Sequence, residues 1–252
     1  MHEQSVIDAV MIGLFVTAAC LYGVAVVHSN RRLRAWPRIR VVLFMFGLLF
    51  AILSVVVGEH EDFVRHMMSH LLLGMLAPLL LAFSRPLTLM LRALPIRWSR
   101  QIMKLMKTKL LRLLMHPIFT GFMNIGGLWL LYTTRIFDMM YEHLWLYLFI
   151  HLHLLIAGYL FTVSIIGLES FGKRMSLSLR AIVLLLAMAL HGMLAKILYA
   201  TPPSSVELAK AELGAMVMYY GGDLVDAILI VFLCLEWYKV VRPSSIKREV
   251  VG

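Results

Sequence analysis

The chain has 252 residues, of which 61% are hydrophobic and only 15% are charged. Soluble globular domains average about 45–50% apolar and about 25% charged residues, so this composition excludes a soluble domain. The formal net charge is +10. In a membrane protein, such a basic excess indicates cytoplasmic loops and contact with anionic lipid rather than binding of nucleic acid. We therefore expect membrane lipid, and no nucleic acid, as a partner of this chain.

Apolar runs long enough to cross a bilayer, roughly 18 residues or more, recur along the whole sequence. They predict an all-α protein, a seven-helix transmembrane bundle that forms a single polytopic membrane domain over residues 1–252. The predicted spans are 6–28, 41–58, 63–83, 116–134, 144–168, 181–200 and 213–238. Pro78 is expected to bend the third span near its far end. No basic region precedes the first run, so we do not expect a cleaved signal peptide.

Residues 84–115 hold eight basic residues, with apolar residues at roughly helical spacing between them. This pattern is typical of an interfacial amphipathic segment rather than of a span. Lys and Arg accumulate in cytoplasmic loops. Here 20 of the 24 lie in the loops after spans one, three and five and in the C-terminal tail. We therefore expect the N-terminus outside, the C-terminus and the amphipathic segment on the cytoplasmic side, and outward-facing loops at 135–143 and 201–210.

The third span begins with residues that can ligate a metal ion. His66 and His70 are four residues apart, so a helix places both imidazoles on one face, one turn apart. Met67 lies beside them in the sequence. Three carboxylates stand just before the span, where they would attract cations to its mouth: Glu59, Glu61 and Asp62.

Other spans bring polar residues to a similar depth. His151 and His153 are two residues apart in span five, so at most one of them readily faces the interior of the bundle. His191 lies in span six. Asp223 and Asp226 are three residues apart near the middle of span seven, and this spacing predicts that they share a helix face. Ionisable residues inside spans mark candidate functional sites.

The combination of imidazole and thioether side chains favours Cu(I), because harder ions prefer more oxygen ligands. Three alternatives stay open. The first is a b-type cytochrome, a membrane electron carrier whose paired histidines bind haem. The second is an ion- or proton-coupled transporter that uses the aspartates. The third is a scaffold without a ligand. The sequence has no P-loop, no GxGxxG, no GxSxG and no CxxCH motif.

Four stretches carry a resemblance to a known family. They are HMMSHLLLGMLAPLLLAFSRP at 66–86, the pair His116 and Pro117, HLHLLIAGYLF at 151–161, and HGMLAKILY at 191–199. With these residues the chain resembles the CtaG family of cytochrome c oxidase assembly factors. The resemblance implies a multi-pass protein of the bacterial cell (plasma) membrane that is linked to copper insertion. It also implies that His66, His70, His151 and His191 are functional positions.

We therefore expect an assembly factor that binds or delivers copper at an outward-facing intramembrane site, without catalytic turnover. The partners implied are cytochrome c oxidase subunits or copper chaperones, with a second copy of the chain as a further possibility. The predicted metal-ligating residues are His66, His70, His151, His191, Met67, His153 and Asp223. The sequence departs from the family pattern in placing Asp223 and Asp226 inside the last span.

Overall fold

The computed structural model describes residues 2–58, 62–168, 175–203 and 205–241. These residues form α-helices joined by short connections, and no strand occurs among them. The helices are α1 His2–Arg32, α2 Arg38–Val57, α3 Phe63–Leu71, α4 Ala77–Ser84, α5 Pro86–Ala93, α6 Ile96–Met106, α7 Lys109–Leu114, α8 Pro117–Thr133, α9 Ile136–Glu142, α10 Leu144–Ile166, α11 Leu177–Ala200 and α12 Leu208–Val241. A π-helical turn, Leu72–Leu76, joins α3 to α4. The carboxylates Glu59 and Glu61, predicted at the mouth of the site, lie outside the described residues.

Five stretches of the described chain are long and apolar enough to cross a membrane. They are Val6–Arg32, Arg38–Val57, Phe63–Ala93, Leu144–Ile166 and Leu177–Ala200. These coincide with predicted spans one, two, three, five and six, which confirms the class of helical membrane protein. The other two predicted spans correspond to α8, which has 17 residues, and to α12, which carries aspartates near its middle. The full count of seven spans therefore stays a prediction.

The centre of the bundle is the continuous run of α3, the π-turn and α4. Helices α2, α10 and α12 pack directly against this run. Helix α11 lies against α12 and α8, and α8 lies against α10. The helices that carry the predicted histidines and aspartates, α3, α10, α11 and α12, are thus neighbours around one axis. Residues far apart in sequence can share a site there.

The π-turn has a local cause in Pro78. Proline has no N–H, so the carbonyl of Gly74 lacks its usual partner four residues later. The chain widens instead, and the amide of Ala77 bonds to the carbonyl of Leu72, five residues back. The irregularity that Pro78 was expected to cause therefore lies on its N-terminal side. Gly158 of α10 packs against it so closely that a Cβ there would overlap with the carbonyl oxygen of Gly74.

The basic segment at 84–115 forms three short helices, α5 to α7. None of the residues of α6 and α7 is buried. Large apolar side chains on these helices are exposed together with the basic ones, namely Ile96, Trp98, Leu105, Leu110 and Leu113. The contact of this segment with a membrane surface stays a prediction.

The loop predicted at 135–143 is in fact the short helix α9. Phe137 and Met140, three residues apart, are buried on one side of it, with exposed fractions of 3% and 1%. Residues three and four apart share a helix face, and here that face covers the end of α3. The prediction of a plain loop was wrong because this short apolar pattern was not recognised as a helix.

A buried ion pair joins three helices at the end opposite α9. Arg180 was predicted to lie in a cytoplasmic loop, but it lies in the first turn of α11 and is only 2% exposed. Its guanidinium Nη1 and Nη2 donate to the two carboxylate oxygens of Glu236 in α12, at 3.0 and 2.6 Å. Nη1 also donates to the carbonyl oxygen of Ile165 in α10, at 2.8 Å. Such a pair is costly to break once formed, because one charge would stay buried alone.

Candidate metal centre

A small cavity lies where α3, the π-turn, α8, α10, α11 and α12 meet. Its volume is about 30 Å³, which is enough for a single ion or a water molecule. Most of its lining is apolar. The side chains that can ligate or form hydrogen bonds there are His70, Met75, Asn124, Thr162, His191 and Asp226.

Two imidazoles in this lining have ring nitrogens without a hydrogen-bond partner in the part of the chain that the structure describes. His70 and His191 are each 3% exposed, and their ring centroids are 6.1 Å apart. Within the described residues, neither ring nitrogen of His70 has a partner, and Nε2 of His191 has none. A buried polar group left unpaired costs about 1–3 kcal/mol. These nitrogens are therefore suited to bind something that enters the cavity, such as a metal ion.

Asp223 interacts electrostatically with Asp226, as expected for residues three apart on one helix face, but the two differ in burial. Asp226 is 5% exposed and lines the cavity, whereas Asp223 is exposed. Three residues turn a helix through about 300°, so the two side chains diverge by about 60°. The edge of the buried face of α12 falls between them.

His66 is one turn from His70 but makes different contacts. Its Nε2 is 2.9 Å from the hydroxyl of Tyr132 in α8, and its Nδ1 is 3.0 Å from the hydroxyl of Tyr141 in α9. Burial raises the pKa of Tyr141, so this hydroxyl keeps its proton. A neutral imidazole has one donor and one acceptor, so one tyrosine donates to the ring and the other accepts from it. Both nitrogens of His66 are therefore engaged.

His151 is buried, with 6% of its surface exposed. Its Nδ1 donates to the carbonyl oxygen of Tyr147 at 2.8 Å. Because a carbonyl oxygen can only accept, Nδ1 carries the proton and Nε2 keeps its lone pair. Histidines that bind metals commonly have this second hydrogen bond. His151 interacts electrostatically with His70, although it is not part of the lining of the cavity.

His153 and Met67 lie away from the cavity. Nε2 of His153 donates to the carbonyl oxygen of Met123 in α8, at 3.2 Å, on a different face of α10 from His151. Met67 is fully buried, and its Cγ would lie 3.3 Å from a Cβ on Gly214 of α12. The thioether that lines the cavity belongs instead to Met75. Hydrogen bonds of a π-turn run between residues five apart, which draws Met75 towards the face of His70.

The described residues contain no cluster of three His, Cys, Asp or Glu side chains that could hold a metal ion by themselves. The potential donors that line the cavity are two imidazoles, one thioether, one carboxylate, one amide and one hydroxyl. Sequence reasoning missed Met75, Tyr132 and Tyr141 as parts of this region. A signal existed only for Met75, because Pro78 follows it by three residues and indicates an irregular turn there.

Comparisons with known proteins give the family. The sequence profile described as "Cytochrome c oxidase caa3 assembly factor (Caa3_CtaG)" matches residues 20–240. An uncharacterized protein of Mycobacterium leprae is 26% identical over an alignment of 253 positions, which covers 90% of this chain and 38% of that protein. Uncharacterized proteins of Mycobacterium bovis and Mycobacterium tuberculosis are each 26% identical over an alignment of 259 positions, which covers 93% of this chain and 39% of each protein.

This chain thus spans about two fifths of the length of the curated relatives that it matches. No solved structure matches it. The family profile runs from the middle of α1 to the end of α12, and it includes every helix around the cavity. The chain belongs to the family of cytochrome c oxidase caa3 assembly factors.

Proposed function

We propose that this chain holds or passes Cu(I) during the assembly of cytochrome c oxidase, with His70 and His191 as its principal ligands. One observation carries the proposal: three ring nitrogens of these two buried imidazoles have no hydrogen-bond partner within the described residues. They flank a cavity of about 30 Å³. In this role copper is the cargo of the protein.

The donor set favours a soft monovalent ion. Imidazole suits copper, and the thioether of Met75 is a soft ligand that Cu(I) accepts readily. Asp226 is the one carboxylate in the lining, whereas Ca²⁺ takes six to eight oxygen ligands and Mg²⁺ takes six. A single carboxylate also matches the single charge of Cu(I). Haem is disfavoured as an occupant, because a porphyrin does not fit in about 30 Å³.

The other predicted ligands divide into two groups. His151 interacts electrostatically with His70 and is the candidate for a third nitrogen ligand. His66 would first have to give up a hydrogen bond to Tyr132 or Tyr141, so we assign it a positioning role. Met67, His153 and Asp223 are not part of the cavity lining, and we do not assign them to the site.

We also propose that α8 and α12 cross the membrane, giving seven spans with the N-terminus outside. The Lys and Arg bias supports this orientation, and both helices pack alongside candidate spans. His70 is seven residues from Phe63, and His191 is nine residues from Ala200. At about 1.5 Å per residue, the cavity would lie about 10–14 Å below the outer helix ends.

The orientation has a direct test. A reporter that is active only in the cytoplasm should give signal when fused after Val241, and no signal when fused between Thr201 and Leu208. A matched reporter that is active only outside should give the reverse pattern. If the fusion between Thr201 and Leu208 is cytoplasmic, the proposed orientation is wrong, and the cavity would then be nearer the inner surface.

Copper content tests the metal proposal. Protein purified in detergent without oxygen and loaded with Cu(I) should retain about one copper ion per chain after desalting, measured by elemental analysis. Zn²⁺ and Mg²⁺ in parallel samples should be lost. Retention of no copper would refute the proposed function, and an intense Soret band in the purified protein would favour the haem alternative.

A further inference from the structure

A second and larger cavity lies between α8 and α10, with a volume of about 580 Å³. We call it the α8–α10 groove. It opens on the outer surface of the bundle, where Phe122 and Phe149 are 66% and 62% exposed. The volume falls within the range of roughly 300–1,000 Å³ that is typical of sites for small molecules. The groove shares Asn124 and Leu128 with the lining of the small cavity but is otherwise distinct from it.

The lining is almost entirely apolar, with two polar side chains that lack a full set of partners. His153 uses its Nε2–H for the carbonyl oxygen of Met123, so its Nδ1 keeps a lone pair. No hydrogen bond to this Nδ1, or to the side-chain amide of Asn124, occurs within the described part of the chain. Gly127 makes room for the imidazole, since a Cβ there would lie 2.6 Å from Nε2 of His153.

The depth of His153 in the membrane limits which molecules can form hydrogen bonds with these two side chains. His153 is nine residues from the start of α10 and thirteen from its end, about 14 and 20 Å along the axis. It thus lies near the middle of a candidate span in either orientation. Charged lipid headgroups do not reach this depth at acceptable cost. Acyl chains do, but they offer neither donor nor acceptor and would leave Nδ1 of His153 and the amide of Asn124 unpaired.

Aromatic rings suggest the shape of the occupant. The rings of Phe149 and His153 are nearly parallel, with an interplanar angle of 21° and centroids 6.2 Å apart. Phe122 lines the α8 side of the same groove. Flat aromatic walls favour a planar ring, because offset stacking is preferred between aromatic groups. The remaining lining, including Leu130, Leu146 and Ile150, is suited to a long apolar tail.

We propose that the α8–α10 groove binds a membrane quinol. One ring hydroxyl donates to Nδ1 of His153, the other forms a hydrogen bond with the amide of Asn124, and the isoprenoid tail lies along the apolar lining. A quinol is neutral, membrane-soluble and planar at its head, and it carries the hydroxyl donors that His153 requires. Binding at this groove does not depend on copper in the small cavity.

The test uses the full chain in detergent, with decylubiquinol as the probe. Saturable binding should appear in equilibrium dialysis under anaerobic conditions. The dimethyl ether of the same compound keeps the ring and the tail but lacks the hydroxyl donors, so it should bind roughly threefold to tenfold more weakly. This comparison needs no variant. Equal binding of the two compounds would overturn the proposal.

Substitutions in the α8–α10 groove test whether decylubiquinol binds there. His153→Phe keeps an aromatic ring but removes the acceptor, and Asn124→Leu removes the amide. Each should weaken decylubiquinol binding by roughly threefold to tenfold while leaving binding of the dimethyl ether nearly unchanged. His143→Phe is the matched control, because His143 is exposed just before α10, and it should bind as the parent does. Unchanged binding in both groove variants would overturn the proposal, and displacement of the probe by phospholipid alone would indicate that the groove holds acyl chains instead.

Discussion

His70→Ala and His191→Ala should each bind Cu(I) at least about 100-fold more weakly than the parent chain. Changes in the outer shell of a metal site commonly cost about 10–100-fold in affinity, and loss of a ligand should cost no less. Both variants should still fold, because the ring nitrogens that carry the proposal make no hydrogen bond in the described structure. Anaerobic competition against a chelator of known Cu(I) affinity measures the change.

Two further variants test which pair of histidines binds the ion. The structure favours His70 with His191, whereas spacing in the sequence favours His66 with His70. His66→Phe should lose less than about tenfold, since both nitrogens of His66 are engaged by tyrosines. His116→Ala should keep the affinity of the parent, because His116 caps the start of α8 at the other end of the bundle. If His66→Phe loses as much affinity as His70→Ala while His191→Ala loses none, the pair four residues apart chelates the ion and the assignment of His191 is wrong.

The membrane class and the positions of most helices could be predicted from the sequence, because a helix that crosses a bilayer needs a long run of apolar residues. The pairing of His66 with His70 is a different case. Helical spacing correctly places both on one face, but it cannot show that the nearest partners of His66 come from Tyr132 and Tyr141. These contacts are 66 and 75 residues away in sequence, and only the packing of α8 and α9 creates them.

Helical spacing also could not predict which of the two aspartates of α12 is buried, because a small rotation around the helix decides it. Asp223 and Asp226 differ by about 60° around α12, and the boundary between the buried and exposed faces falls in that interval. The position of such a boundary depends on how α11 and α3 pack against α12. A single sequence does not contain that information in any local pattern.

The π-turn beside the small cavity depends on a single proline, Pro78. Pro78 frees the carbonyl of Gly74, and α10 approaches this widened turn at Gly158. A proline in the sequence indicates an irregularity but does not tell which helix will pack against it. The role of Gly158, eighty residues after Pro78, becomes clear only when α10 is seen to pack against the π-turn.

Gly158→Ala should therefore be among the most damaging single substitutions in the bundle. A Cβ at Gly158 would overlap with the backbone oxygen of Gly74 and lie 3.0 Å from Cγ of Pro78. Neither group can rotate away as a flexible side chain can, so α10 must separate from the π-turn. Overpacking of this kind costs about 1–3 kcal/mol and sometimes more, which corresponds to a fall in melting temperature of roughly 2–12 °C.

Gly126→Ala is the matched control in the same bundle. A Cβ on Gly126 of α8 would meet only the ring of Phe122, at 3.7 Å, which is an ordinary van der Waals contact. Its melting temperature in detergent should stay close to that of the parent, whereas Gly158→Ala should melt clearly lower. Because Gly74 and Gly158 both line the small cavity, Gly158→Ala should also weaken Cu(I) binding although no ligand is changed. Equal melting temperatures for the two variants would mean that α10 does not approach the π-turn as closely as described.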